Sequence, residues 1–158
     1  MTGGLDDTPP PVAIHPPILY GAAFLIGLGL DRLFPLPAVF SDGLRHGAAS
    51  MLIVFGTCFA LWAAWLFRQA GTGIPTWQAA TRFVWRGPYA ISRNPMYLGI
   101  SAAYAGLALA LASTWALILL APVVVVMDRL VIAREEPYLA ARFGAPYETY
   151  LRQVRRWI

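Results

Sequence analysis

The chain has 158 residues, of which 58% are hydrophobic and only 13% charged, with a net charge of +4. That length suits one domain, and the charge fraction is far below the ~25% that a water-facing domain carries, so an ordinary soluble globule is excluded. The charges also cluster, with none between Arg45 and Arg68 and none between Arg93 and Asp128. One crossing of a bilayer core takes about 20 apolar residues; the first gap fits one helix and the second fits two.

In chain order, residues 1–17 are acidic (Asp6, Asp7) and rich in proline, with no basic region ahead of the first apolar stretch. A disordered tail is expected there rather than a signal peptide. Residues 18–158 are read as a single membrane domain, an all-α integral membrane protein of about four transmembrane helices. The predicted spans are 18–33, interrupted near its end by Asp31 and Arg32, then 44–67, 96–112 and 115–132. Ser113 and Thr114, followed by Trp115, mark a tight turn between the last two. Pro122 is expected to kink the fourth span, because proline supplies no helical N–H. Short interfacial helices over residues 137–158 complete the chain.

Arginine placement sets the orientation. Arg68, Arg82, Arg86 and Arg93 occupy the loop at 68–95, and Arg134, Arg142, Arg152, Arg155 and Arg156 the tail. Four spans with both termini cytoplasmic satisfy that bias, and the expected location is multi-pass in the bacterial inner membrane. All twelve basic residues are arginine, and they flank apolar spans, which suits phospholipid headgroups rather than nucleic acid. The one cysteine, Cys58, rules out an internal disulfide or thiolate cluster; a buried, inert thiol is expected. His15 and His46 are far apart, so no metal site is expected. Neither GxGxxG nor a P-loop occurs.

Chemistry-bearing residues collect between Gly71 and Ile158. A turn-rich loop at 71–75 and a second turn at Arg86-Gly87-Pro88-Tyr89 lead into Arg93-Asn94-Pro95-Met96-Tyr97-Leu98-Gly99. Asn94 is a favoured N-cap residue, and Pro95 falls at the first helical position, where its missing N–H costs nothing. A helix that starts at the membrane surface beside Arg93 presents free N–H groups to an anion. Tyr97 sets a ring and hydroxyl one turn in, and Gly99 admits either a ligand or another helix against the backbone. The same features also describe a well-capped helix with a snorkelling arginine. Past the fourth span, Glu135 and Glu136 have two readings: pairing with Arg93, Arg129 or Arg134, or binding a cationic ligand. Asp128 and Arg129 read as a local ion pair. Tyr138 to Phe143 is expected as a short helix ended by an αL Gly144. Pro146 opens the next, an amphipathic helix with Tyr147, Tyr150, Leu151 and Val154 on one face, running to Trp157 as anchor or lid.

Gly87-Pro88-Tyr89, the segment Arg93 to Gly99, Glu135-Glu136, and Phe143-Gly144 followed by Tyr147 and Tyr150 together resemble the isoprenylcysteine carboxyl methyltransferase family. That superfamily includes phospholipid N-methyltransferases. The likeness covers roughly residues 71–158. It implies a membrane enzyme that binds S-adenosylmethionine on the cytoplasmic side, between helix ends and a C-terminal cover. Asn94, Pro95, Tyr97, Leu98, Gly99, Glu135, Glu136 and Tyr147 would then contact the cofactor, with Tyr150 in the cover and Arg93 and Glu136 in catalytic roles. Many members carry histidine where this chain has Asn94, and asparagine cannot titrate near neutral pH. The resemblance implies methyl transfer to a lipophilic or small hydrophobic acceptor (carboxylate, amine or thiol) reached through the bilayer. Two other readings stay open on the residues: an NADPH-dependent sterol-type reductase, and a non-enzymatic membrane scaffold of the same fold.

Overall fold

The computed structural model describes residues 15–71 and 81–158. The expected tail up to residue 14 and most of the turn-rich loop at 71–75 lie outside the described residues. Within them all regular structure is helical. Helix α1 spans Pro16–Leu33, α2 Asp42–Gln69, α3 Pro95–Ala110 and α4 Thr114–Val126. A π-helical segment, Met127–Ile132, joins α4 to α5, Ala133–Phe143, and α6 covers Ala145–Gln153.

Small residues let the helices approach closely, as is usual where lipid offers no hydrophobic drive between them. Helices α2 and α3 lie antiparallel, locked by glycines. A Cβ on Gly56 would sit 2.4 Å from the Ala103 nitrogen, and one on Gly99 would sit 2.6 Å from the Gly56 carbonyl oxygen. At the other end of this pair the buried Arg45 guanidinium donates from Nη1 to the carbonyls of Leu109 and Ala110, at 2.9 and 3.0 Å. It thereby caps the C-terminus of α3, whose last carbonyls lack helical partners. Helix α1 packs antiparallel on α4, where Gly27 meets the Ala116 backbone. Tyr20, Tyr104, Ala108, Ala116, Val123, Met127 and Val131 form the core between the two pairs.

The predicted turn at 113–114 is present. Leu111 and Ala112 close α3, Ala112 with φ +53°, and the Ser113 hydroxyl accepts from the Ala116 N–H at 3.1 Å. Asp31 does not simply interrupt the first span. Its carboxylate accepts from the Ser113 hydroxyl and, at 3.3 Å, from the Trp115 N–H, so it fastens the end of α1 to the start of α4.

Two helices are long and apolar enough to cross a membrane: α2, and the continuous Thr114–Phe143 helix made of α4, the π segment and α5. The shorter apolar α3 has 16 residues. Leu25, Met51, Val54, Leu61, Trp65 and Val125 are each more than half exposed on the isolated bundle, an apolar coat that water would not tolerate and lipid would. Cys58 is part of that coat: it is exposed on the outside of α2, against the expectation of a buried thiol.

The helix of the fourth span runs further than expected, to Phe143. Helix α4 runs unbroken through Pro122, and the irregular stretch comes five residues later, in the π segment. The segment after residue 132 is no separate short helix, because α5 follows the π segment without a break, with Pro137 inside it. Charges and a proline at 134–137 read as a break in one dimension, whereas the helix simply leaves its apolar surroundings there.

Candidate active site

The start of α1, the end of α2, the start of α3 and the end of α4 gather at one end of the bundle, and the arginine-rich loop and C-terminal segment cover them. The loop enters through a 3₁₀ turn at Gly87–Ala90. Gly87 has φ +61°, and a side chain there would run into Leu66 and Trp62 of α2, so the turn requires glycine. The turn presses the Tyr89 ring flat on Phe67, with centroids 4.9 Å apart. Pro95 opens α3 as expected. Asn94 holds the N-cap position, yet its side chain caps nothing; Nδ2 instead donates to the Arg156 carbonyl at 3.0 Å.

The two adjacent glutamates have different surroundings. Glu136 is saturated: Oε1 accepts from Arg93 Nη1 at 2.7 Å and from Arg156 Nε at 3.2 Å, and Oε2 accepts from Arg156 Nη2. A bidentate contact from Arg156 and a single charged bond from Arg93 on one carboxylate make a strong, directional clasp. Glu135 has one long bond, from the Tyr97 hydroxyl at 3.4 Å. Burial pushes its carboxyl up to about 7, the Tyr97 hydrogen bond pulls it back and the neighbouring Glu136 charge adds to the rise. It is a desolvated carboxylate without a cation among the described residues. The reverse holds for two donors nearby. The Tyr89 hydroxyl and Arg93 Nε are buried with no hydrogen-bond partner among the described residues, and the charge of Glu135 is felt at Tyr89, where burial above all raises the phenol.

Over this end lies an aromatic cover. Phe83 meets Phe143, Tyr147 and Tyr150 with centroids 5.2–5.8 Å apart. The Tyr150 hydroxyl donates to the Tyr89 carbonyl at 2.8 Å, which ties α6 to the loop. Gly144 makes the bend between α5 and α6 at φ +61°, ψ −142°, a region open only to glycine and distinct from the expected αL cap.

The structure therefore brings together Arg93, Asn94, Tyr97, Glu135, Glu136 and Tyr147. Pro95 is fully buried behind them. Leu98 is half-buried in the first turn of α3. Of the two uses open to Gly99, helix packing takes the glycine face, against Gly56 and Ala60 of α2. Asp128 does meet Arg129, at 3.6 Å, but Arg129 is mostly exposed. The closer partners of Asp128 are Arg156, at 3.2 Å to both oxygens, and Trp157 Nε1 at 3.0 Å. A helix continued through Arg156 would set it with Arg152 and Arg155 on the polar face, away from Tyr147 and Tyr150. Helix α6 ends at Gln153, Val154 is extended, and the last residues turn back into the site; a break in helical phase this short leaves no periodic signal.

A 35-residue stretch is 46% identical to an uncharacterized protein of Haemophilus influenzae, covering 22% of this chain and 56% of that protein. The chain thus spans about half the length of the curated relative it matches. No solved structure matches. The profile of the phospholipid methyltransferase family matches residues 44–146, which take in α2, the loop, α3, α4 and α5. The chain therefore belongs to the phospholipid methyltransferase family, a family of membrane methyltransferases.

Proposed function

We propose that this chain transfers a methyl group from S-adenosylmethionine to a lipophilic acceptor, a phospholipid by the family's description and in this proposal one with an amine headgroup, at the covered end of the bundle. One observation carries the reading: among the described residues a half-buried carboxylate with no cation, Glu135, shares the site with two buried donors that have no acceptor, Tyr89 Oη and Arg93 Nε. Buried polar groups are nearly always paired, so this pattern calls for a ligand with one cationic and one anionic end. The amino-acid portion of S-adenosylmethionine has that form, and the residues fit it.

S-adenosylmethionine supplies an already activated methyl on sulfur, so the protein's task is to bind, align and exclude water. Glu135, steadied by the Tyr97 hydroxyl, holds the cationic end. Arg93 and the Tyr89 hydroxyl hold the anionic end, with Glu136 fixing the Arg93 guanidinium from the other side. Leu98 lines the first turn of α3. Tyr147 and Phe83 close the cover against water. The acceptor arrives through the bilayer, and the family match favours neither the reductase nor the scaffold reading. In this proposal the apolar helices make four crossings with both termini on the arginine-rich, cytoplasmic side.

Calorimetric titration of S-adenosylmethionine into the detergent-purified chain tests this. The expected result is micromolar binding that weakens at least tenfold in Glu135→Gln. It also weakens from pH 8 to pH 6, because only ionised Glu135 attracts a cation. Labelled methyl transfer to phosphatidylethanolamine vesicles then tests the acceptor. Absence of binding, with NADPH taken up instead, would refute the proposal.

A further inference from the structure

Arg155, Arg156 and Trp157 are tied to three separate segments. The Arg93 N–H donates to the Arg155 carbonyl at 3.0 Å. The Arg156 carbonyl accepts from Ser92 Oγ at 3.3 Å and from Asn94 Nδ2 at 3.0 Å. The Arg156 side chain spends Nε and Nη2 on Glu136 of α5 and Nη1 on Asp128 of the π segment, and Trp157 adds a bond to the same aspartate. These partners are well shielded, with side chains 15% exposed at Glu136, 17% at Arg93 and 22% at Asp128, where a lost partner costs far more than on a surface. The π segment also has a use here. Such insertions recur at functional sites, and this one carries Asp128, which meets the same guanidinium that Glu136 of α5 holds.

We propose that Arg156 is a positioning residue. Docking of the C-terminal segment fixes Glu136, Glu136 in turn fixes the Arg93 guanidinium, and the ligand site is complete only with the clasp closed. The proposal rests on the preceding reading in taking Arg93 as a ligand contact. A guanidinium is required because three of its nitrogens serve two carboxylates in fixed directions, which an ammonium does not reproduce. In this arrangement Glu136 is a strut between two arginines, and the ligand's cation is left to Glu135.

The test uses the full chain in detergent with Arg156→Gln, Arg156→Lys, Glu136→Gln and the Arg156→Gln/Glu136→Gln double variant. Hydrogen exchange without ligand reads the clasp directly. Arg156→Gln should speed exchange at residues 92–98, while residues 100–109, in the interior of α3, keep wild-type protection. Titration of S-adenosylmethionine reads its consequence. Arg156→Gln should raise Kd at least tenfold, Arg156→Lys should recover only a minor part, and the double variant should be no weaker than Arg156→Gln alone. Wild-type exchange at 92–98 in Arg156→Gln, full recovery by lysine, or additive losses in the double variant would each overturn the clasp. If the wild type binds no S-adenosylmethionine, the cofactor reading fails by itself, and the exchange measurement still decides whether Arg156 organises the Arg93 loop.

Discussion

Glu135 makes the site's electrostatics measurable through stability. Its carboxyl is held near 7, against 4.5 for an ordinary glutamate, chiefly because it is buried. At about 1.36 kcal/mol per pH unit, that gap amounts to about 3 kcal/mol, an upper figure for a group that lies near a solvated helix end. The sign follows from proton binding. Between pH 4.5 and 7 the folded chain still holds a proton that the unfolded chain has released, so stability falls as pH rises through this window and levels off above it. Glutamine cannot titrate. Glu135→Gln should therefore gain up to about 3 kcal/mol on the wild type between pH 5 and pH 8. Denaturing-detergent titrations followed by tryptophan fluorescence at pH 5, 6, 7 and 8 measure the difference. A constant offset between wild type and variant across that range would show that Glu135 is not a desolvated carboxylate, and the cation-binding role would fall with it. A fixed concentration of S-adenosylmethionine well above the wild-type Kd at pH 8 should stabilise the wild type by at least about 1 kcal/mol more than the variant.

Other outcomes follow from the same geometry. Tyr89→Phe removes a buried hydroxyl that has no partner; thermal unfolding should be unchanged or slightly raised while S-adenosylmethionine affinity falls about tenfold, the size of one charge-assisted hydrogen bond. Gly99→Ala forces a methyl to 2.6 Å from the Gly56 carbonyl oxygen and should cost about 1–3 kcal/mol of stability. Gly29→Ala, with nothing within 4 Å, should gain up to about 1 kcal/mol, so equal unfolding midpoints for the two variants would refute the packing account. Arg45→Gln leaves the Leu109 and Ala110 carbonyls without their charged donor. Loss of about 1–3 kcal/mol in the same unfolding assay is expected, with ligand affinity untouched because this residue caps the opposite end of the bundle.

Much of this protein is written in one dimension. Charge-free runs of adequate length locate the apolar helices, since a bilayer tolerates neither charges nor unpaired backbone groups. Asn94-Pro95 marks the start of α3, and the order of short motifs from Gly87 to Tyr150 leads to the family, as the match over residues 44–146 bears out. The Arg93–Glu136 pair was among the pairings open to those glutamates, because opposite charges at the two helix ends invite it.

Other features depend on neighbours far away in the chain. Gly99 reads equally as a ligand contact or a helix contact until α2 is placed against it. Glu135 and Glu136 are adjacent and chemically identical; only the fold assigns two arginines to one and a lone tyrosine to the other, since successive helical positions point about 100° apart. Arg156 was the hardest to foresee. Its partners lie 20 and 28 residues back along the chain, and the extended turn at Val154 that delivers it has no period to detect. Composition and hydrophobic pattern thus determined the membrane setting and the helices, and the ordered motifs pointed to the family. Which carboxylate is satisfied and which is left with its charge unmatched was decided by tertiary structure alone, because burial and ion pairing belong to the packed end of the bundle and not to any residue in isolation.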